Sequence, residues 1–314
     1  MTIPRYLAHR ALLGVVQVLV VMTGMFFLTE ALPGDAAVTI AGDNPDPAMI
    51  ADLRERLGLN ESGWHRLGDW LVAALHGDFG QSLLAPRSVV DIVASAAEPT
   101  LLLAGLTLAL LVPLSVGLGV LAAHREGGRL DRLITGTTLG LYSAPEFAMG
   151  ILIVTVFAVK LGWFPPTAVG TALTDNPAVL VLPVFVLLLR PICSLSRLVR
   201  AGMIDAQHSD YVRHVRRLGL SPAGVRFTHA LPNAVAPAAQ QLARTVDWLV
   251  GGVIVIEAIF VVPGLGTTLA AAVAARDLPV IQGLAVVFAT TTVLVNLVAD
   301  VAARVLAPTA ELGR

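Results

Sequence analysis

Residues 210–237 read DYVRHVRRLGLSPAGVRFTHALPNAVAP, the longest stretch in the second half of the chain without a membrane-length apolar segment. It contains His214 and His229. Five arginines fall in it or just before it: Arg200, Arg213, Arg216, Arg217 and Arg226. Its punctuation predicts two short helices. Ser209 or Asp210 offers a side-chain acceptor for the free amides of a first turn, and Gly219 suits the left-handed backbone position that ends a helix. Ser221 followed by Pro222 offers a second cap, with proline at the first helical position where no amide donor is needed. On the first helix Tyr211, Val215 and Leu218 stand at i, i+4 and i+7, an apolar stripe, with Arg213, Arg216 and Arg217 mostly elsewhere. Two readings follow from this composition: a basic loop lying on anionic lipid, or a docking element for a cytoplasmic partner.

The rest of the chain is unlike a soluble domain. Of its 314 residues 56% are hydrophobic and 14% charged, against about 25% charged in ordinary globular proteins. The formal net charge is −1 and no block of like charge occurs, so nothing points to nucleic acid or another polyanion. Lys160 is the only lysine and no Gly-Lys pair exists, which excludes a phosphate-binding P-loop in this chain. Cys193 is the only cysteine and lies in an apolar run, so no intrachain disulfide forms.

Crossing about 30 Å of hydrocarbon takes roughly 20 apolar residues. Six runs reach that length: Ala11–Ala31, Thr100–Ala123, Leu133–Lys160, Ala178–Leu198, Val235–Val262 and Leu278–Leu306. Arg5 and Arg10 precede the first, as in a secretory signal. That run exceeds a signal core of about 7–15 residues and five more follow it, so it is expected to be retained. Arginines gather at the N-terminus, in 124–132, in 199–234 and at the tail, while 162–177 has none and 263–279 only Arg276. That asymmetry places both termini and the 210–234 stretch in the cytoplasm. Segment 32–98 then lies outside. Asp46-Pro47 opens a helix with Ile50, Leu53 and Leu57 on one face, stopped at Gly58. Ser62 opens another carrying Trp64, Leu67, Leu71 and Leu75, with Trp64 and Trp70 as candidate interfacial anchors. A small external cap packed on itself is the alternative.

No enzyme signature is present: all seven histidines lie outside the apolar runs or at their margins, and no His-Glu-x-x-His occurs. Charges inside the runs carry more information. Glu146, Arg190, Asp247 and Glu257 interrupt apolar helices, and such groups face a bundle interior or a water-filled path. Arg190 either neutralises Glu146 or Asp247 or lines that path. Arg197 and Arg244, nearer the helix ends, can snorkel and are given no role. Asp300 and Arg304, four residues apart, suit a structural ion pair. Pro113, Pro145, Pro183 and Pro191 argue for kinked helices around a cavity.

Gly219, nine further residues and then His229-Ala230-Leu231-Pro232 reproduce the spacing of a known pattern: Glu-Ala-Ala, three residues, Gly, nine residues, Ile-x-Leu-Pro. The stretch resembles the signature cytoplasmic loop of ABC-importer permeases. Arg213, His214 and Val215 replace the opening triplet, and His229 the isoleucine. An arginine preceded by Asp210-Tyr211-Val212 is similar to the dipeptide/oligopeptide branch. The likeness runs on through Leu32-Pro33-Gly34-Asp35, residues 53–59, and 76–83 with its Gly77-Asp78-Phe79-Gly80. It continues in 255–266 with Glu257 and Pro263-Gly264, then Arg276-Asp277, Gln282-Gly283, and Asn296 to Asp300. It is nearest to the first of the two unlike permeases of such systems, the one with a long loop after its first span.

The resemblance implies an all-α integral membrane protein with the type I ABC-importer permease fold: one permease domain over 1–314 with six transmembrane helices and both termini cytoplasmic. It implies the permease subunit of an ATP-driven importer of di- or oligopeptides in the bacterial inner membrane, itself without enzymatic activity. Expected partners are a second homologous permease in a heterodimer, two ATPase subunits and an external substrate-binding protein. ATP and Mg are used by the ATPases, and this chain binds no cofactor. ATPase docking is expected of Asp210, Tyr211, Arg213, His214, Val215, Arg216, Gly219, Leu220, Ser221, Leu231 and Pro232. Glu146, Arg190, Asp247 and Glu257 are candidates for the substrate path. The competing reading is a secondary transporter of a small polar solute, driven by protons or sodium through Glu146, Arg190 and Asp247, although no inverted repeat supports it.

Overall fold

The computed structural model describes residues 3–31, 37–38, 46–56, 60–170, 173 and 175–306. Among them the regular elements are helices, and the only β pairing is an isolated bridge between Gln81 and Ser88. The chain divides into two compact units, residues 1–100 with 263–294 and residues 101–262 with 295–314.

The first unit holds α1 (Ile3–Glu30), α2 (Pro47–Arg56), α3 (Gly63–Leu75), the start of α4 (Val89–His124), α12 (Leu265–Ala275) and the start of α13 (Leu278–Leu306). Helices α2 and α3 both begin where their capping residues stand. Asp46 Oδ1 accepts from the Ala48 amide at 3.1 Å, and Ser62 Oγ accepts from His65 at 3.3 Å. Leu57 and Gly58 lie outside the described residues. The end of α1 packs on α3: Phe26 meets Trp70, Phe27 meets Trp64 at 4.7 Å, and Arg66 pairs with Glu30. Trp70 is thus occupied by α1, whereas Trp64 remains 72% exposed. A small core of Val89, Ala96, Leu265, Ile281 and Leu284 joins α4, α12 and α13. At its edge buried Asp277 accepts from Ser82 Oγ and, at 3.1 Å, from the Leu83 amide, which fixes the turn after α3.

The second unit contains α5 (Arg129–Ser143), α6 (Glu146–Ile153) continuing as a π-helical stretch (Val154–Lys160), α7 (Ala178–His208) and α8 (Asp210–Arg217). The chain then runs through α9 (Pro222–Gly224), a π-helical stretch (Val225–Ala230), α10 (Leu231–Ala234) and α11 (Ala236–Phe260). Helix α7 is the centre of this unit. It packs against α5, α6, α10 and α11, and 61% of its apolar window is buried, against 17% for α1. Two glycines, Gly119 on α4 and Gly202 on α7 itself, allow the close approach. A Cβ at Gly119 would lie 2.6 Å from that of Val199, and one at Gly202 would lie 2.4 Å from the Ala234 carbonyl oxygen.

Among the described residues four unbroken helices are long and apolar enough to cross a membrane: Ala8–Glu30, Val89–His124, Ala178–His208 and Leu278–Val298. The number reaches six when each of two broken pairs counts as one span. The breaks refine two of the apolar runs. Leu133–Lys160 is not one helix: α5 and α6 meet at 103°. Pro145 disfavours helical backbone at the residue before it, and Ala144 accordingly adopts ψ 136. Val235–Val262 ends where Val261 turns left-handed (φ 52, ψ 46), and the Val262 amide donates to the Glu257 carbonyl at 3.0 Å. The stretch after Pro263, which has no predicted helix, forms α12; its start is closed by the Gly264 amide donating to Thr267 Oγ1 at 3.0 Å.

Candidate functional site

The 210–237 stretch emerges directly from the central helix. At the end of α7 Ser209 has extended backbone, but its hydroxyl donates back to the Ala206 carbonyl and caps nothing on α8. Asp210 pairs with Arg213 one turn on. The packed face of α8 differs from the stripe expected: Val212 is completely buried and Val215 half-buried, whereas Tyr211 (41%) and Leu218 (66%) are exposed. Of the expected stripe only Val215 packs inward; the i, i+4, i+7 pattern missed Val212, which with Val215 sets the packed side. Arg213, His214 and Arg216 are all exposed.

Gly219 adopts φ 80, the left-handed value that ends α8. Leu220 follows, exposed, and Ser221 Oγ accepts from the Gly224 amide at 3.1 Å, with Pro222 at the start of α9. The second helix is not a separate short element, since it passes through the π-helical stretch and α10 toward α11. Val225, Ala230 and Ala234 anchor that run in the core. Leu231 is half-buried and Pro232 exposed. Asn233 Nδ2 donates to the Tyr211 hydroxyl oxygen at 3.1 Å and to the His229 carbonyl at 3.0 Å, tying α8 to α10.

Contacts not foreseen from the sequence hold this assembly to the unit. Arg200 grips Asp131 with two hydrogen bonds, at 2.5 and 2.7 Å, and Asp131 also accepts from the Gly127 amide at 2.9 Å. The Arg226 guanidinium lies 2.6 Å from His124 Nδ1. Arg200 counted in the sequence only as a loop charge, and a partner 69 residues away leaves no local signal. The result is a braced platform presenting Tyr211, Leu218, Leu220 and Phe227 to the outside beside Arg213 and Arg216.

The charged groups within the apolar helices are divided. Glu146 opens α6, and its Oε1 is enclosed without a hydrogen-bond partner. Arg190 is exposed and stands 5.4 Å from the centroid of the Tyr142 ring; Arg197 stands 5.0 Å from the same ring. Glu146 and Arg190 form no ion pair, and Arg197 is engaged with an aromatic ring instead of merely snorkelling. Glu257 is completely buried in the last turn of α11. The side chains of Asp247, Asp300 and Arg304 lie outside the described residues.

Comparison with known proteins covers nearly the whole sequence. Residues 115–311 match the family described as binding-protein-dependent transport system inner membrane component, and residues 3–89 match the N-terminal part of such components. A protein of Sinorhizobium fredii named as a probable peptide ABC transporter permease is 34% identical over 96% of this chain and 98% of its own length. The glutathione transport system permease of Escherichia coli K12 is 35% identical over 93% of this chain and 94% of its own. Among solved structures, an amino acid ABC transporter crystallised with histidines superposes with a TM-score of 0.52 over 68% of this chain and 94% of that one, at 15% identity. That similarity supports the fold.

Proposed function

We infer the function from one premise: the chain belongs to the family of binding-protein-dependent transport system inner membrane components. It is a multi-pass membrane permease subunit of an ABC transporter, and its substrate class is peptides, as the names of relatives aligned over almost its full length indicate. It performs no bond chemistry itself. We place it in the bacterial inner membrane with both termini in the cytoplasm, paired with a second homologous permease and served by two ATPase subunits and an external binding protein.

The observation that carries the coupling mechanism is the braced platform. The apolar patch of Tyr211, Leu218, Leu220 and Phe227 would seat in an ATPase subunit. Force applied there passes to the central helix through Gly202 against Ala234 and through the Arg200–Asp131 pair. ATP binding would close the ATPases, carry the platforms with them and swing the helices between outward-open and inward-open states, a rigid-body form of alternating access. Reconstituted vesicles containing all partners test this. Labelled peptide should accumulate only with ATP and the binding protein present. Accumulation driven by a proton or sodium gradient without ATP would return the secondary-transporter reading.

A further inference from the structure

The second unit holds two polar clusters that the docking platform does not use. In the first, Arg190 and Arg197 both lie over the ring of Tyr142, at 5.4 and 5.0 Å. Seven residues apart on α7, they share a helix face. An aromatic ring attracts a cation through its quadrupole but does not neutralise it. Arg197 Nε also donates to the Cys193 carbonyl at 3.2 Å, a bond that leaves its charge uncompensated. Among the described residues no carboxylate forms an ion pair with either arginine. Charge at membrane depth persists where it meets a counter-charge or a water-filled path. Arg190 feels the charge of Glu146 without pairing with it, so among the described residues two guanidiniums share one ring with no paired carboxylate, an arrangement that suits a further anion.

In the second cluster Glu146 Oε1 is enclosed and accepts no hydrogen bond. It lies 3.6 Å from the point where a Cβ on Gly252 would stand, and the Trp248 ring edge lies 3.3 Å from that same point. The unpartnered carboxylate oxygen and the indole thus lie together beside Gly252, whose missing side chain lets them approach. A carboxylate beside an aromatic ring suits an ammonium group.

We propose that these clusters read the two ends of the transported peptide: Glu146 with Trp248 takes the amino-terminal ammonium, and Arg190, backed by Tyr142 and Arg197, takes a carboxylate. The proposal rests on the peptide-permease reading above and assigns its specificity-determining residues. It predicts a preference for peptides with both ends free over peptides with either end blocked. A purely structural role for the same charges predicts no such preference.

The test is direct binding to the complete complex of permeases and ATPases in lipid nanodiscs, without the binding protein, whose own selectivity would mask the effect. The probes are labelled trialanine, N-acetyl-trialanine and trialanine amide. Wild type should bind trialanine tightest, with each blocked end weakening binding by about tenfold, the scale of one charge-assisted hydrogen bond. Glu146→Gln should no longer separate trialanine from its acetylated form, and Arg190→Gln should no longer separate it from the amide. Arg190→Lys, which keeps the charge, should retain the amide discrimination. The proposal fails if wild type binds the three probes equally or not at all, or if both variants keep the wild-type order. Absence of binding beside intact ATP-driven uptake sinks this inference alone, whereas wild-type complex without any peptide uptake sinks the permease reading.

Discussion

Replacing Gly219 by valine isolates the docking turn from the rest of the fold. Gly219 sits at φ 80, and no atom lies within 4 Å of where its Cβ would be, so the substitution creates no clash. Its whole cost is conformational: a β-branched residue in left-handed backbone is strained by about 1–3 kcal/mol. The chain on either side cannot absorb that strain by drifting, because Val212 and Val225 are buried anchors at 0% and 3% exposure. Relief therefore comes from turning residue 219 back to negative φ, which swings Leu218 and Leu220 off the exposed patch. Borne by docking, about 1–3 kcal/mol weakens association by about 5- to 150-fold. Gly219→Val should reach normal membrane levels, co-purify poorly with the ATPases and support little ATP-driven uptake. Asparagine tolerates left-handed backbone, so Gly219→Asn should fall between the two. A valine variant that keeps wild-type uptake in a complex of normal composition would refute the reasoning.

Asp131→Asn leaves the Arg200 guanidinium without its carboxylate where Asp131 is buried and Arg200 partly exposed; we expect a loss of about 2–3 kcal/mol, read as earlier thermal unfolding of the purified complex. Asp277→Ala strands the Ser82 hydroxyl and the Leu83 amide, and should raise hydrogen exchange across residues 82–88 while leaving the docking segment's exchange unchanged.

Composition and apolar run length suffice to read the architecture. Six runs reach membrane length, and lipid offers the backbone no hydrogen-bond partner, so each run must satisfy its own amides and carbonyls as a helix. The helix starts at Ser62 and Ser221 and the left-handed glycine at 219 were legible for a different reason. Each is a local event decided by one side chain and its near neighbours, and each cap bond is found. Pro145 was legible as a kink but not as a 103° turn, because proline fixes the preceding backbone without fixing where the next helix packs. Helix α12 was missed because its eleven residues are too short and too rich in alanine to show a membrane-length run.

What stayed hidden depends on partners far along the chain. Arg200 reads as one loop charge among five until Asp131 is placed against it. Arg197 reads as a snorkelling residue until Tyr142 is placed beside it. The packed face of α8, which keeps Val215 but not Tyr211 or Leu218, shows the same limit within eight residues. Periodicity gives the angle between side chains but not the direction of the core, and α8 has apolar residues on more than one side. Only the packing under Val212 decides which apolar residues hold the helix down and which are left over. The left-over set, Tyr211 and Leu218 with Leu220 and Phe227, is the surface that a docking partner would cover. The outward part of the stripe is therefore informative: Val215 packs inward, and the exposed Tyr211 and Leu218 beside it offer apolar surface for a further contact.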